Sequence, residues 1–171
     1  MTVDGWIILQ QRINLNSSFD QLWQAYKDGF GSLGSDYWLG NENVHLLTSS
    51  GKYKLRFEML SSVVGWVSAE YDSFQLDGEA GWYKIHVDGY SGDAGDGMEM
   101  SGVYSRYCHN GMNFTTIDSV HDGTIGTPTQ SCSVQRAGGW WYNDCFMVCL
   151  NGHATYAFSW WPSITASTLS T

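Results

Sequence analysis

The sequence predicts one mixed domain, with short helices and an antiparallel sheet in its first part and a loop-rich second part. Three observations carry this. Phe19, Leu22, Trp23 and Tyr26 recur at the i, i+3, i+4, i+7 spacing of a helix face. Tyr53, Leu55, Phe57 and Met59 alternate with Lys54, Arg56 and Glu58, the period of a half-buried strand. Glycine supplies 20 of the 171 residues, above the roughly 7% of an average protein. Each glycine inside a helix costs about 1 kcal/mol, so a coiled coil or simple bundle is excluded.

The elements follow in order. WIILQQ at 6–11 is a short apolar run and reads as one buried strand. Ser17 or Ser18 can cap the helix that carries Phe19 to Tyr26, and Gly29 and Gly31 stop it. A second, shorter helix fits residues 40–47. After KYKLRFEML, the stretches VGWVSAEYDSF and GWYKIHVDGY read as further strands. Asp77-Gly78 and Asp88-Gly89 are turn signals, so residues 50–92 form an antiparallel meander. Residues 91–102 and 109–131 read as loop, and 138–161 is rich in aromatics without a regular period.

Composition limits function. Hydrophobic residues make up 43% of the chain and charged residues 15%, which supplies a core and excludes disorder. A length of 171 residues suits about one domain on the usual ~150-residue scale. The net charge of −9, without a basic run, opposes nucleic acid and anionic membrane surfaces. No apolar stretch approaches the ~20 residues of a spanning helix. Residues 1–9 lack the basic start and small cleavage residues of a signal peptide. Cys108, Cys132, Cys145 and Cys149 allow three full pairings, and their even count in a glycine-rich region suggests disulfides and an oxidising compartment. Four buried thiols are the alternative.

The chemistry-bearing clusters are sparse. Cys145, Cys149 and His153 are spaced by three residues, with His109 as a conceivable fourth zinc ligand, but the Asn151-Gly152 turn signal opposes the helix they would need. Asp93 with Asp96 and Asp118 with Asp122 lack the EF-hand pattern; the first pair reads as solvated turn carboxylates. His45, His86, His109, His121 and His153 sit in no hydrolase signature, so nothing points to an enzyme. The nine tryptophans read as core, with pocket walls as the second reading.

Taken together, DGWIILQQR at 4–12, FDQLWQAYKDGFGSL at 19–33 and YWLGNENVHLLT at 37–48 resemble the fibrinogen C-terminal domain family. AEYDSF, YSGDAGD, HNGMNFTTID, CSVQRAGGWWYNDC and LNG continue the resemblance in the family's order. It implies an α+β fold, a twisted antiparallel sheet with short helices (about 1–102) beside a loop-rich binding subdomain (about 103–171). The family's N-terminal subdomain is expected to be missing and its closing C-terminal strand shortened. Family members are secreted or cell-surface proteins, so an extracellular, secreted location is implied.

The resemblance also implies particular residues. The family's disulfide falls on Cys132 and Cys145; Cys108 and Cys149 have no counterpart and would form an extra bridge or stay free. The two calcium aspartates fall on Val120 and Asp122, with carbonyls of Thr124 and Gly126 and help from Asp118. Val120 cannot ligate, so calcium binding is expected to be weak or absent. In ficolin-like members an acetyl pocket beside the disulfide would use Asp144, Cys145, Phe146, Tyr156 and Ala157, with Arg136 at its edge. Phe146 replaces a usual histidine, and Arg136 would repel the amine of a polymerisation-knob peptide. The reading that follows is a ficolin- or tachylectin-like pattern-recognition lectin of innate immunity. It would bind acetylated sugars or microbial surface polymers, with avidity from homo-oligomers. The alternative is a protein-binding signalling or matrix module of the angiopoietin or tenascin kind, which an exposed apolar patch outside the pocket would support.

Overall fold

The N-terminal apolar run is divided between two partners. In the computed structural model, which describes residues 2–3, 5–13, 18–123, 131–145, 147–153 and 159–160, β1 (Thr2–Val3) pairs with β2 (Trp6–Ile7) around Gly5, whose φ is +86°. β3 (Gln10–Gln11) belongs to another sheet and pairs with Tyr37–Trp38. The single strand expected over 6–11 is therefore two. A continuous apolar run carries no alternation to fix one register, and the Gly5 turn sets the first.

The first helix, α1, spans Trp23–Asp28 and begins later than the serines suggest. Ser18 Oγ accepts the Asp20 N–H and closes a local turn instead. Phe19 and Tyr26 are buried, and the Tyr26 hydroxyl donates to Phe19 O at 2.6 Å while accepting the Gly139 N–H at 3.0 Å. Gly29 ends the helix at φ +96°, where a Cβ would lie 2.6 Å from Leu39 O. β4 (Phe30–Gly31) and β3 flank β5 (Tyr37–Trp38) in a small three-stranded sheet. α2 spans Asn41–Ser49, close to the predicted position. The Thr48 hydroxyl donates to Val44 O and accepts the Leu76 N–H, tying α2 to the main sheet.

That sheet has the order β6 (Tyr53–Ser61), β7 (Gly65–Leu76), β8 (Ile85–Gly92), all antiparallel. Leu55↔Tyr71, Phe57↔Ala69 and Met59↔Val67 pair on the core face. Arg56↔Glu70, Glu58↔Ser68 and Leu60↔Trp66 pair on the other, as the alternation predicts. Asp88-Gly89 is not a turn: Gly89 sits within β8 at φ +75°, where a Cβ would crowd Asp72 Cβ at 2.9 Å. The chain reverses at the predicted Asp77-Gly78 signal, through a 3₁₀ turn at Glu79–Gly81 followed by Trp82 and Tyr83, both at positive φ.

The second part holds a 3₁₀ stretch at Gly102–Tyr107, the short helix α3 (Cys132–Arg136) and one strand pair, β9 (Val148–Cys149) with β10 (Ser159–Trp160). The tryptophans of this part serve the core. Trp140, Trp141 and Trp160 are buried, and Phe114 stands 5.0 Å from the rings of both Tyr26 and Trp141. Trp160 packs on Phe57 of β6 at 4.8 Å. Rings of this size fill space where regular structure is sparse. The architecture is α+β, with twisted antiparallel sheets and short helices.

Candidate binding site

The site region is built around α3. Ser131 caps this helix by accepting the Ser133 N–H, and Asp122 Oδ2 accepts the Cys132 N–H and the Ser131 hydroxyl, each at 2.9 Å. Cys132 is disulfide-bonded to Cys145 with a Cα–Cα distance of 5.3 Å. Arg136 closes the helix, and its carbonyl accepts the His153 N–H at 2.9 Å. Ala137 then takes the left-handed conformation, and Gly138 packs so closely on Asn151 O that a Cβ would sit 2.2 Å away.

Asp144 joins this segment to the 3₁₀ stretch. Its N–H donates to Arg106 O at 3.1 Å, and its carboxylate lies 4.0 Å from Arg106 Nε. The Arg106 guanidinium lies over the Tyr107 ring and also donates to its hydroxyl. Val103, at 84% exposure, and Tyr104 project from the same stretch. Residues 103–107 thus form an exposed rim beside the disulfide that sequence reasoning did not place in the site. Their only signal was a tyrosine–arginine pairing in a segment read as loop. Phe146, Tyr156, Ala157, Thr124 and Gly126 lie outside the described residues.

His109 and the free cysteines make their contacts within the fold. His109 is fully buried: its Nε2 accepts the Val148 N–H at 3.2 Å, so Nδ1 carries the proton and donates to Trp141 O at 2.7 Å. Burial lowers its pKa to about 4. Of the two alternatives for Cys108 and Cys149, bridged or free, the structure shows both free. Cys149 is buried against the Tyr142 hydroxyl at 3.2 Å, and burial pushes its thiol up to about 11. Cys108 instead turns its sulfur to Met98 O at 3.4 Å. Cys145 is committed to the disulfide, and the described residues contain no group of three His, Cys, Asp or Glu able to hold a metal.

The calcium-type loop is used otherwise. Asp118 Oδ1 accepts the Trp23 N–H and the Thr116 hydroxyl, at 2.9 and 2.8 Å. Asp122 holds the start of α3, and Val120 offers no oxygen from its side chain. A hard cation needs six or more oxygens, and these residues do not fit one. His121 stacks on Trp82 at 3.9 Å, with Trp23 edge-on to both rings.

Fold and motif order together define the family to which this domain belongs. Residues 1–163 match the family described as fibrinogen beta and gamma chains, C-terminal globular domain, and the chain belongs to that family. It is 40% identical over 141 residues to human angiopoietin-related protein 2, covering 82% of this chain and 26% of that protein. The fibrinogen-like globe domain of human ANGPTL2 superposes with a TM-score of 0.78 at 40% identity, covering 87% of this chain and 63% of that one. A lamprey fibrin D-dimer complexed with the peptide Gly-His-Arg-Pro-amide superposes at 0.79 with 32% identity, covering 88% and 50%. The chain spans about a quarter of the length of the angiopoietin-related relative.

These likenesses correct the ficolin- or tachylectin-like expectation. The lectin, carbohydrate-binding, pattern-recognition and innate-immunity reading is overturned by similarity to angiopoietin-related proteins in both sequence and structure. No helix among the described residues is long and apolar enough to cross a membrane.

Proposed function

We propose that this chain is an extracellular protein-binding module of the angiopoietin-like kind. The carrying observation is the rim beside the disulfide, where Val103 and Tyr104 are exposed next to the contact between Arg106 and Asp144. Apolar and aromatic groups bordered by charge are the composition of protein interfaces, in which tyrosine and arginine are enriched. The similarity to angiopoietin-related proteins and to a fibrin structure holding a peptide supports the same reading. In it, residues 1–102 act as scaffold and 103–171 carry the contacts. Arg136, Asp144 and Cys145 border the partner, the family motif adds Phe146, Tyr156 and Ala157 as contact candidates, and avidity comes from homo-oligomers.

The test is binding of fluorescently labelled chain to cells of the source organism. Protease treatment of the cells should abolish binding and deglycosylation should spare it. The variant Val103→Ser with Tyr104→Ala should bind less while melting normally. Retention on an N-acetylglucosamine resin, or binding lost on deglycosylation alone, would overturn the proposal.

A further inference from the structure

The outer face of the β6–β7 hairpin carries a second feature, remote in sequence from the disulfide rim. Leu60 and Trp66 face each other across the strands, as do Glu58 and Ser68. Trp66 is 68% exposed and Val63, in the turn, 74%, with Val64 beside it. Below this apolar tip lies an open cleft of about 190 Å³ lined by Arg56, Glu58, Trp66, Val67, Ser68 and Asp93. Pockets for whole small molecules run to about 300–1,000 Å³. This cleft has room for one side chain.

Its charge selects which side chain. Arg56 is already matched by Glu58 at 2.8 Å and Glu70 at 3.4 Å, and Lys54 by Asp72 at 2.6 Å. Asp93 accepts the Ser68 N–H at 2.7 Å, and no cation pairs with it among the described residues. The face therefore carries four carboxylates (Glu58, Glu70, Asp72, Asp93) against two cations, on a chain of net charge −9. A second copy of this chain or an anionic surface would be repelled. A cationic side chain would meet Glu58 and Asp93 and lie against the exposed indole of Trp66, the aromatic best suited to cations.

We infer that this cleft is a docking site for a protein segment that presents a lysine or arginine flanked by apolar residues. The cation enters beside Trp66, Glu58 and Asp93, and the apolar neighbours cover Leu60, Val63 and Val64. The surface is separate from the disulfide rim and does not depend on it.

The test is an NMR titration of ¹⁵N-labelled chain with acetyl-Gly-Leu-Arg-Leu-Gly-amide. Two control peptides replace arginine by glutamate, or both leucines by serine. The arginine–leucine peptide should shift the Trp66 indole N–H and the Ser68 amide, more weakly at high salt, and the controls should not. Combining Glu58→Gln with Asp93→Asn should weaken binding roughly fivefold, as expected for two exposed charge contacts. Asparagine keeps a carbonyl for the Ser68 N–H, so the fold is preserved. Val103→Ser with Tyr104→Ala should leave the titration unchanged, which separates this site from the disulfide rim. No shift at millimolar peptide, an equal response to the glutamate peptide, or unaltered affinity in the Glu58/Asp93 variant would overturn the inference.

Discussion

Asp118 caps the helix that begins at Trp23: its carboxylate accepts the Trp23 N–H at 2.9 Å across 95 positions of sequence. The residue at the local N-cap, Leu22, has no side-chain oxygen to offer. Replacing Asp118 by alanine removes this cap and the Thr116 contact, and should destabilise the fold by about 1–2 kcal/mol in urea denaturation. Asparagine keeps the acceptor and should recover most of the loss. Equal effects of the two substitutions would show that the cap contributes nothing.

Committing Asp118 and Asp122 to helix starts has a thermodynamic signature. A ligand that binds only the folded state stabilises it by RT ln(1 + L/Kd) at free concentration L, so Tm climbs with the logarithm of that concentration. Millimolar calcium, or its removal by a chelator, should leave Tm unchanged. A rise that grows with the logarithm of calcium concentration and is reversed by chelator would overturn the conclusion that these residues do not fit the ion.

His109 couples stability to pH. Its folded pKa of about 4 lies below the ordinary 6.5, so the unfolded chain binds more protons between those values. Stability from this group is complete above pH ~6.5 and is lost as pH falls toward ~4, by about 3 kcal/mol. His109→Ala should flatten that dependence. At neutral pH it should cost about 2–4 kcal/mol, because the Val148 N–H and Trp141 carbonyl lose their partner.

The cysteines give a direct count. Alkylation in denaturant without reductant should modify two thiols, Cys108 and Cys149, and four after reduction. In the folded protein Cys149 should remain protected by burial while half-buried Cys108 reacts first. No free thiol before reduction would restore the second bridge. Replacing Cys132 and Cys145 by serine opens a loop with a sequence separation of 13 and should cost about 3 kcal/mol.

What the sequence made legible follows from where each determinant lies. The β6–β7 hairpin was readable because one face meets the core and the other meets water, so the alternation of Leu55, Phe57 and Met59 with charged neighbours is local. The start of α1 was not, because its cap comes from Asp118. α3 escaped notice because five residues are too few to show a period, although Ser131 is a recognisable cap. Asp88-Gly89 misled because the positive φ of Gly89 serves close packing on Asp72 rather than chain reversal. Around the disulfide, Asp144 and Arg136 were named from the family resemblance alone, not from any period or spacing. The Arg106 and Val103 rim was not, because its place beside Asp144 depends on a contact 38 residues apart in sequence (144 against 106).

The Tyr26 hydroxyl, held between Phe19 O and the Gly139 N–H, reaches 113 positions along the chain. One phenol therefore belongs structurally to both ends of the polypeptide. A chimera that joined the first hundred residues of this chain to the remainder of a relative keeps that bond only where the relative brings a backbone N–H to the place of Gly139 N. Exchange of segments therefore has a geometric condition: α1 and the stretch at 138–141 must meet at the same distance, although they are far apart in sequence.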